Sequence, residues 1–137
     1  MATRKDLETL AMAMPETVEE PSYGNRAWKV RKKVVVWERP LRKKEVEELG
    51  DSAPPADSPI VGVRVPDEEA KAALLASEPD TYFTTSHFEG HLSVLVLLDR
   101  ISRADLEEVI VEAWLSQAPK RLAEAYLEGE GRGREGT

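Results

Sequence analysis

The stretch Arg26-Ala27-Trp28-Lys29-Val30-Arg31-Lys32-Lys33-Val34-Val35-Val36-Trp37-Glu38 decides the fold class. Its two apolar runs have a period near 2, are rich in β-branched and aromatic side chains, and are separated by a basic break, which reads as two antiparallel strands joined by a hairpin. Alternation puts Trp28 and Val30 on one face, toward a core. Upstream, Thr17-Val18-Glu19 carries the same alternation behind the turn-forming group Pro21-Ser22-Tyr23-Gly24-Asn25, so three strands form a meander. Pro21 ends the first strand or confines it to an edge, because proline has no N–H for a ladder.

Before the meander the period is helical. Leu7, Leu10, Ala11 and Met14 recur at i, i+3, i+4 and i+7, which predicts a helix over 4–14, capped by Thr3, with Asp6 near its positive end and Pro15 closing it. After the meander, Pro40 stops the third strand, 42–49 makes a short helical turn, and the proline-rich 52–59 is a loop. Ile60 to Val65 is a strand. Pro66 at a first helical position, followed by Asp67, Glu68 and Glu69, starts a helix with the stripe Ala70, Ala73, Leu74. Thr81–Thr85 and Leu92–Leu98 read as strands joined through 86–91. Ser102 to Asp105 is a capping-box variant opening a helix with Leu106, Val109, Ile110, Ala113 and Trp114 inward. Pro119 breaks it, 120–127 continue helically, and a Gly/Arg/Glu-rich flexible tail follows. Condensed, the order is α-β-β-β-α-β-β-α: an α+β fold with an antiparallel five-stranded sheet and flanking helices, in one domain over 1–128 with a tail over 129–137. The strand Leu92–Leu98 carries apolar residues on both faces, with Leu95 and Leu97 opposite Val94 and Val96, so its far face needs cover from the C-terminal helix or from a second subunit.

The chain of 137 residues is long enough for one domain with its own core. No cysteine excludes disulfides, thiolate metal sites and a cysteine nucleophile, and two histidines exclude a three-histidine metal centre. The start lacks the apolar stretch of a signal peptide and no run is long enough to span a membrane, so a cytoplasmic location is expected.

The segments Tyr23-Gly24-Asn25-Arg26-Ala27-Trp28-Lys29-Val30, Tyr82-Phe83-Thr84-Thr85-Ser86-His87-Phe88-Glu89-Gly90, Val94-Leu95-Val96, and Ala113-Trp114 followed by Ala118-Pro119-Lys120-Arg121-Leu122 resemble, in this order, the MmcQ/YjbR-like family of small bacterial proteins. The resemblance implies an antiparallel sheet flanked by helices, similar to secretion chaperones and distantly to frataxin. Members are often labelled DNA-binding from their shape. The family has no accepted catalytic residues, so it carries none over. Two departures stand out. Relatives usually place a glycine in the hairpin after the position of Val30, where this chain has Arg31-Lys32-Lys33, and 41–59 is long beside compact relatives. A tight positive-φ turn is therefore less assured here.

Residues 26–44 hold nine basic side chains (Arg26, Lys29, Arg31, Lys32, Lys33, Arg39, Arg42, Lys43, Lys44) against Glu38, a net of +8, while the remainder holds ten basic against 25 acidic residues, a net of −15. A cationic hairpin projecting from the sheet would meet phosphates or an acidic partner, with Trp28 and Trp37 able to stack on bases if exposed. The same lysines also suit a solvated sheet edge, and the surrounding negative charge repels DNA at long range. His87, Glu89 and His91 form H-x-E-x-H, which would converge on a metal if extended, yet Gly90 argues for a turn. Thr84, Thr85 and Ser86 beside His87 invite a nucleophile–base pairing, but short polar residues entering a turn explain them as well. The pairs Glu19-Glu20, Glu47-Glu48 and Glu107-Glu108 read as solvated faces. The reading is a binding module without catalytic activity, metal or cofactor, a monomer or homodimer, engaging a protein partner or DNA through Arg26, Lys29, Arg31, Lys32, Lys33, Arg42, Lys43 and Lys44. The alternative is a small enzyme or ligand-binding protein with a cleft near Tyr82, His87 and His91.

Overall fold

Thr3 opens the first helix reciprocally. Its hydroxyl accepts from the Asp6 N–H at 3.1 Å while the Asp6 carboxylate accepts from the Thr3 N–H at 3.0 Å, so two orphan donors of the first turn are met. In the computed structural model, which describes residues 1–135 and the side chains of 1–129, this helix is α1 (Arg4–Met12). Leu7, Leu10, Ala11 and Met14 are buried, as the stripe required. Strands β1 (Thr17–Glu19), β2 (Ala27–Val30) and β3 (Lys33–Glu38) form the meander. Then come α2 (Lys43–Leu49), β4 (Ile60–Arg64), α3 (Glu68–Ser77), β5 (Tyr82–Phe83), β6 (Ser93–Leu97), α4 (Arg103–Gln117) and α5 (Lys120–Glu135).

The sheet has six strands, not five, in the order β1-β2-β3-β4-β6-β5, and every pair is antiparallel. All six alternating segments join it. The count of five is one short of the segments read: the condensed order drops the strand Ile60 to Val65, which the structure forms as β4 between β3 and β6. The condensed order also omits α2 and α5 as separate helices. At the start of α3 the Asp67 carboxylate accepts from the Ala70 N–H at 2.7 Å, so Asp67 is the cap and Pro66 stands outside the helix instead of in its first turn. Helix α5 runs through Glu135, into the segment read as a tail; the last two residues of that tail lie outside the described residues.

Two apolar layers use the sheet's two faces. On the inner face α1 and α4 cover Trp28, Val30, Val35, Val36, Val61, Val63, Val94 and Val96. A register shift in the β2–β3 pairing lets both Val35 and Val36 turn inward, and it sends Trp37 to the outer face. The Trp114 indole N–H donates to the Pro15 carbonyl at 3.0 Å, and Tyr126 of α5 lies against the Trp114 ring. On the outer face Ile60, Phe88 and Leu95 form a smaller cluster, with Trp37, Leu41, Phe83 and Leu97 around it. Strand β6 is therefore two-sided, as its sequence demanded. Cover on its outer face comes from Phe88 and Leu41 of the same chain and not from α5, which packs on the inner core. Gly62 makes room for this arrangement: a Cβ there would lie 2.4 Å from the Trp37 ring.

The hairpin closes between Val30 and Lys33 with Arg31 at φ +47° and Lys32 at φ +71°, so the tight turn forms without glycine.

Candidate functional site

Acids meet the first half of the basic segment one by one. Arg26 donates from Nε and Nη2 to Glu19 and from Nη2 to Glu8, each at 2.8 Å, and its guanidinium lies 4.9 Å from the Trp28 ring centre. Those carboxylates, Glu19 foremost, push the arginine further up in pKa, and Arg26 holds Glu19 below the ordinary carboxylate range. Lys29 reaches Glu20 at 3.1 Å, and Arg31 forks onto Glu16; both carboxyls are lowered by these bonds. Glu19 and Glu20 are thus ion-pair partners, not a free solvated face. Lys32 and Lys33 stay exposed at the turn. No single cationic finger projects.

At the other end of β3 the arrangement reverses. Arg39 is buried and donates from Nη1 and Nη2 to the two oxygens of Glu45 at 2.8 and 3.0 Å, with its guanidinium 5.1 Å from the Phe88 ring centre. Glu45 also accepts from the Arg42 N–H at 2.9 Å and from the Thr85 hydroxyl at 2.7 Å. Burial would raise this carboxyl, but the bonds from Arg39, Arg42 and Thr85 outweigh it and hold the group below the ordinary range. Glu48, one helical turn on, accepts from the Ser86 N–H at 2.9 Å and the Ser86 hydroxyl at 2.7 Å. Glu45 and Glu48 of α2 therefore point at the 85–91 loop, while Glu47 between them stays exposed. From the opposite side the buried Lys71 of α3 donates to the carbonyls of Phe88 at 2.8 Å and His91 at 2.6 Å. Gly90 takes φ +80° and turns the loop back.

This clamped loop presents His87 and His91, whose rings stack 5.9 Å apart and 8° from parallel, with Phe88 edge-on to His87 at 5.0 Å. Glu89 does not join them, and no group of three His, Asp or Glu among the described residues converges as a metal site. Ser86 spends its proton on Glu48, so no Ser86–His87 nucleophile–base pair forms. Tyr82 lies in the inner core, where burial first of all pushes its phenol up to about 12. It is on the other face from the two histidines, and the three do not line one cleft.

Between α2 and the loop is a depression of about 490 Å³ lined by Arg42, Lys43, Lys44, Glu45, Glu48, Ser86 and His87. Its carboxylates are turned inward by Arg39, Thr85 and Ser86. Its three cations are exposed, and no carboxylate among the described residues pairs with their side chains. Sequence reasoning found Arg42, Lys43 and Lys44 but read Glu48 as solvated and gave Lys71 no role. The polar residue Lys71 inside the apolar stripe of α3, beside Ala70 and Leu74, was the available signal. Of the named basic residues, Arg42, Lys43 and Lys44 share one site, Lys32 and Lys33 sit at the far end of β3, and Arg26, Lys29 and Arg31 are neutralised in place.

Comparison with known proteins agrees with this architecture. The YjbR family model matches residues 12–116. Uncharacterized proteins of Mycobacterium tuberculosis and Mycobacterium bovis are 49% identical over 133 residues, covering 96% of this chain and all of theirs. The crystal structure of a Deinococcus radiodurans protein with the family-model domain DUF419 has a similar fold, at a TM-score of 0.60 and 17% identity over 84% of this chain and 78% of that one. No helix among the described residues is long and apolar enough to cross a membrane.

Proposed function

The chain belongs to the YjbR family, and from that premise we propose that it is a binding module that engages an acidic segment of a partner protein through α2 and the 85–91 loop. One observation carries the reading: the two glutamates that line the depression with Arg42, Lys43 and Lys44 are taken up by Arg39 and by the loop, which leaves three exposed cations with no salt-bridge partner among the described residues over a depression of about 490 Å³. The loop beneath them is held by side chains from α2 and α3, so the surface needs little ordering on binding. Ion-paired Arg26, Lys29 and Arg31 disfavour the hairpin as a nucleic-acid finger, since each phosphate contact there would first break a bond to glutamate.

Fluorescence anisotropy with a labelled glutamate-rich peptide and with a DNA duplex, each across a salt series, tests this. The peptide binds with a negative salt slope, and Lys43→Glu with Lys44→Glu weakens it by about tenfold or more, whereas Lys32→Glu with Lys33→Glu costs about twofold or less. Peptide binding indifferent to the α2 pair would overturn the reading. Duplex binding that depends on Lys32 and Lys33 would instead establish the nucleic-acid function.

A further inference from the structure

We infer that the depression between α2 and the 85–91 loop is a pocket for a phosphate monoester, so that the acidic partner is recognised at a phosphorylated group. This rests on the binding reading above and adds a ligand chemistry to it. Donor bookkeeping argues for phosphate. Arg42 offers a planar fork of two parallel donors, Lys43 and Lys44 each bring an ammonium, and His87 brings an imidazole, all around one depression. A carboxylate has a single charge and two oxygens, too few for these partners, whereas a phosphate monoester presents about three strong acceptor oxygens and nearly two charges. A diester linkage carries only one charge and two free oxygens.

The acids lining the pocket do not oppose this. Glu45 already accepts four bonds, from Arg39 twice, Arg42 and Thr85, and Glu48 is chelated by Ser86, so both are compensated by donors of the chain itself. The His87 ring is fixed in place, edge-on to Phe88 and stacked on His91, while Lys71 holds the carbonyls of Phe88 and His91 from behind. A group that must donate to an oxyanion is thereby positioned before the ligand arrives. The volume exceeds that of a phosphate alone and leaves space for the residue that bears it.

The test is a titration of the full chain, followed by NMR of the His87 and His91 imidazoles at constant pH and ionic strength. Inorganic phosphate and phosphoserine should saturate the His87 response, with acetate and diethyl phosphate weaker by about tenfold. Lys43→Ala with Lys44→Ala should weaken phosphate by about tenfold, and Lys32→Ala with Lys33→Ala should leave it unchanged. An equal response to all four anions, a response that never saturates, or saturation indifferent to Lys43 and Lys44 would overturn the pocket. Diethyl phosphate binding as well as phosphoserine would reassign the site to a nucleic-acid backbone and overturn the monoester. A glutamate-rich peptide that binds through Lys43 and Lys44 without any phosphate saturation would sink this inference and leave the binding reading standing. Phosphate saturation without peptide binding would do the reverse.

Discussion

Arg26, Lys29 and Arg31 face Glu8, Glu16, Glu19 and Glu20 across the β1–β2 edge, whereas Arg42, Lys43 and Lys44 stand beside two glutamates that are turned away from them. Both groups belong to the same basic segment and contribute alike to its net charge of +8. Only the second can attract a partner. Pairing with residues distant in sequence decides the difference: Glu8 and Glu16 neutralise their arginines from 18 and 15 positions away, while Glu45 and Glu48 are drawn off by Thr85 and Ser86, 40 and 38 positions downstream. Charge summed over a segment counts cations without asking which already have an acid.

The contrast is most exposed to refutation at Glu45. Glu45→Ala leaves the buried Arg39 guanidinium without its counter-charge, a loss of about 3–5 kcal/mol, read as a lower denaturant midpoint. Glu19→Ala removes half-exposed contacts and leaves Arg26 its bond to Glu8, so it costs about 1 kcal/mol or less. Equal losses would erase the distinction between a structural pair and a surface pair. Lys71→Met keeps the apolar stem and deletes the two bonds to the loop, for about 1–3 kcal/mol. Faster amide exchange confined to 86–91 would sharpen the point, because it would show that Lys71 orders the loop and not the sheet.

Acid sharpens it further. The folded-state carboxyl of Glu45 lies below its ordinary value of 4.5, so the unfolded chain takes up that proton first as pH falls. The stability Glu45 supplies is complete above the ordinary value and is lost as pH drops through the folded one. Glu16, Glu19 and Glu20 are lowered in the same direction. They are exposed, so high salt should remove most of their share of the acid-limb slope while leaving that of Glu45. Acid titrations of Glu45→Gln and Glu19→Gln at low and high salt separate the two contributions. A salt-insensitive Glu19 would place it in the buried class.

The strands, the inner core and the two-sided β6 were legible in the sequence because alternation and burial are local: Trp28 with Val30, or Leu95 against Val94, needs only neighbouring residues to be read. The clamp on the 85–91 loop was not. Glu45 to Thr85, Glu48 to Ser86 and Lys71 to Phe88 are contacts between segments whose relative placement depends on the whole sheet. An adjacent pair such as Glu47-Glu48 looks solvated until the fold supplies a donor. The outer cover of β6 was hidden for a similar reason, since a lone Phe88 between polar residues carries no period.

The hairpin supplies the smallest effect. The chain contains two turns of the same build, Tyr23-Gly24 between Ser22 and Asn25, and Arg31-Lys32 between Val30 and Lys33. In the first, φ is +49° and then +81°; in the second it is +47° and then +71°. The second position is glycine in one and lysine in the other. A side chain in the left-handed region costs about 1–2 kcal/mol, and glycine returns about half of that as extra freedom of the unfolded chain. Lys32→Gly should therefore stabilise the protein by about 0.5–1 kcal/mol, visible as a rise of a few degrees in Tm, while Arg31 keeps its fork on Glu16. The same substitution should leave binding of a glutamate-rich peptide within about twofold, as a cation outside the α2 site must. A stabilised variant that binds tenfold more weakly would show that the hairpin tip contacts the partner, and the division between the two ends of the basic segment would no longer hold.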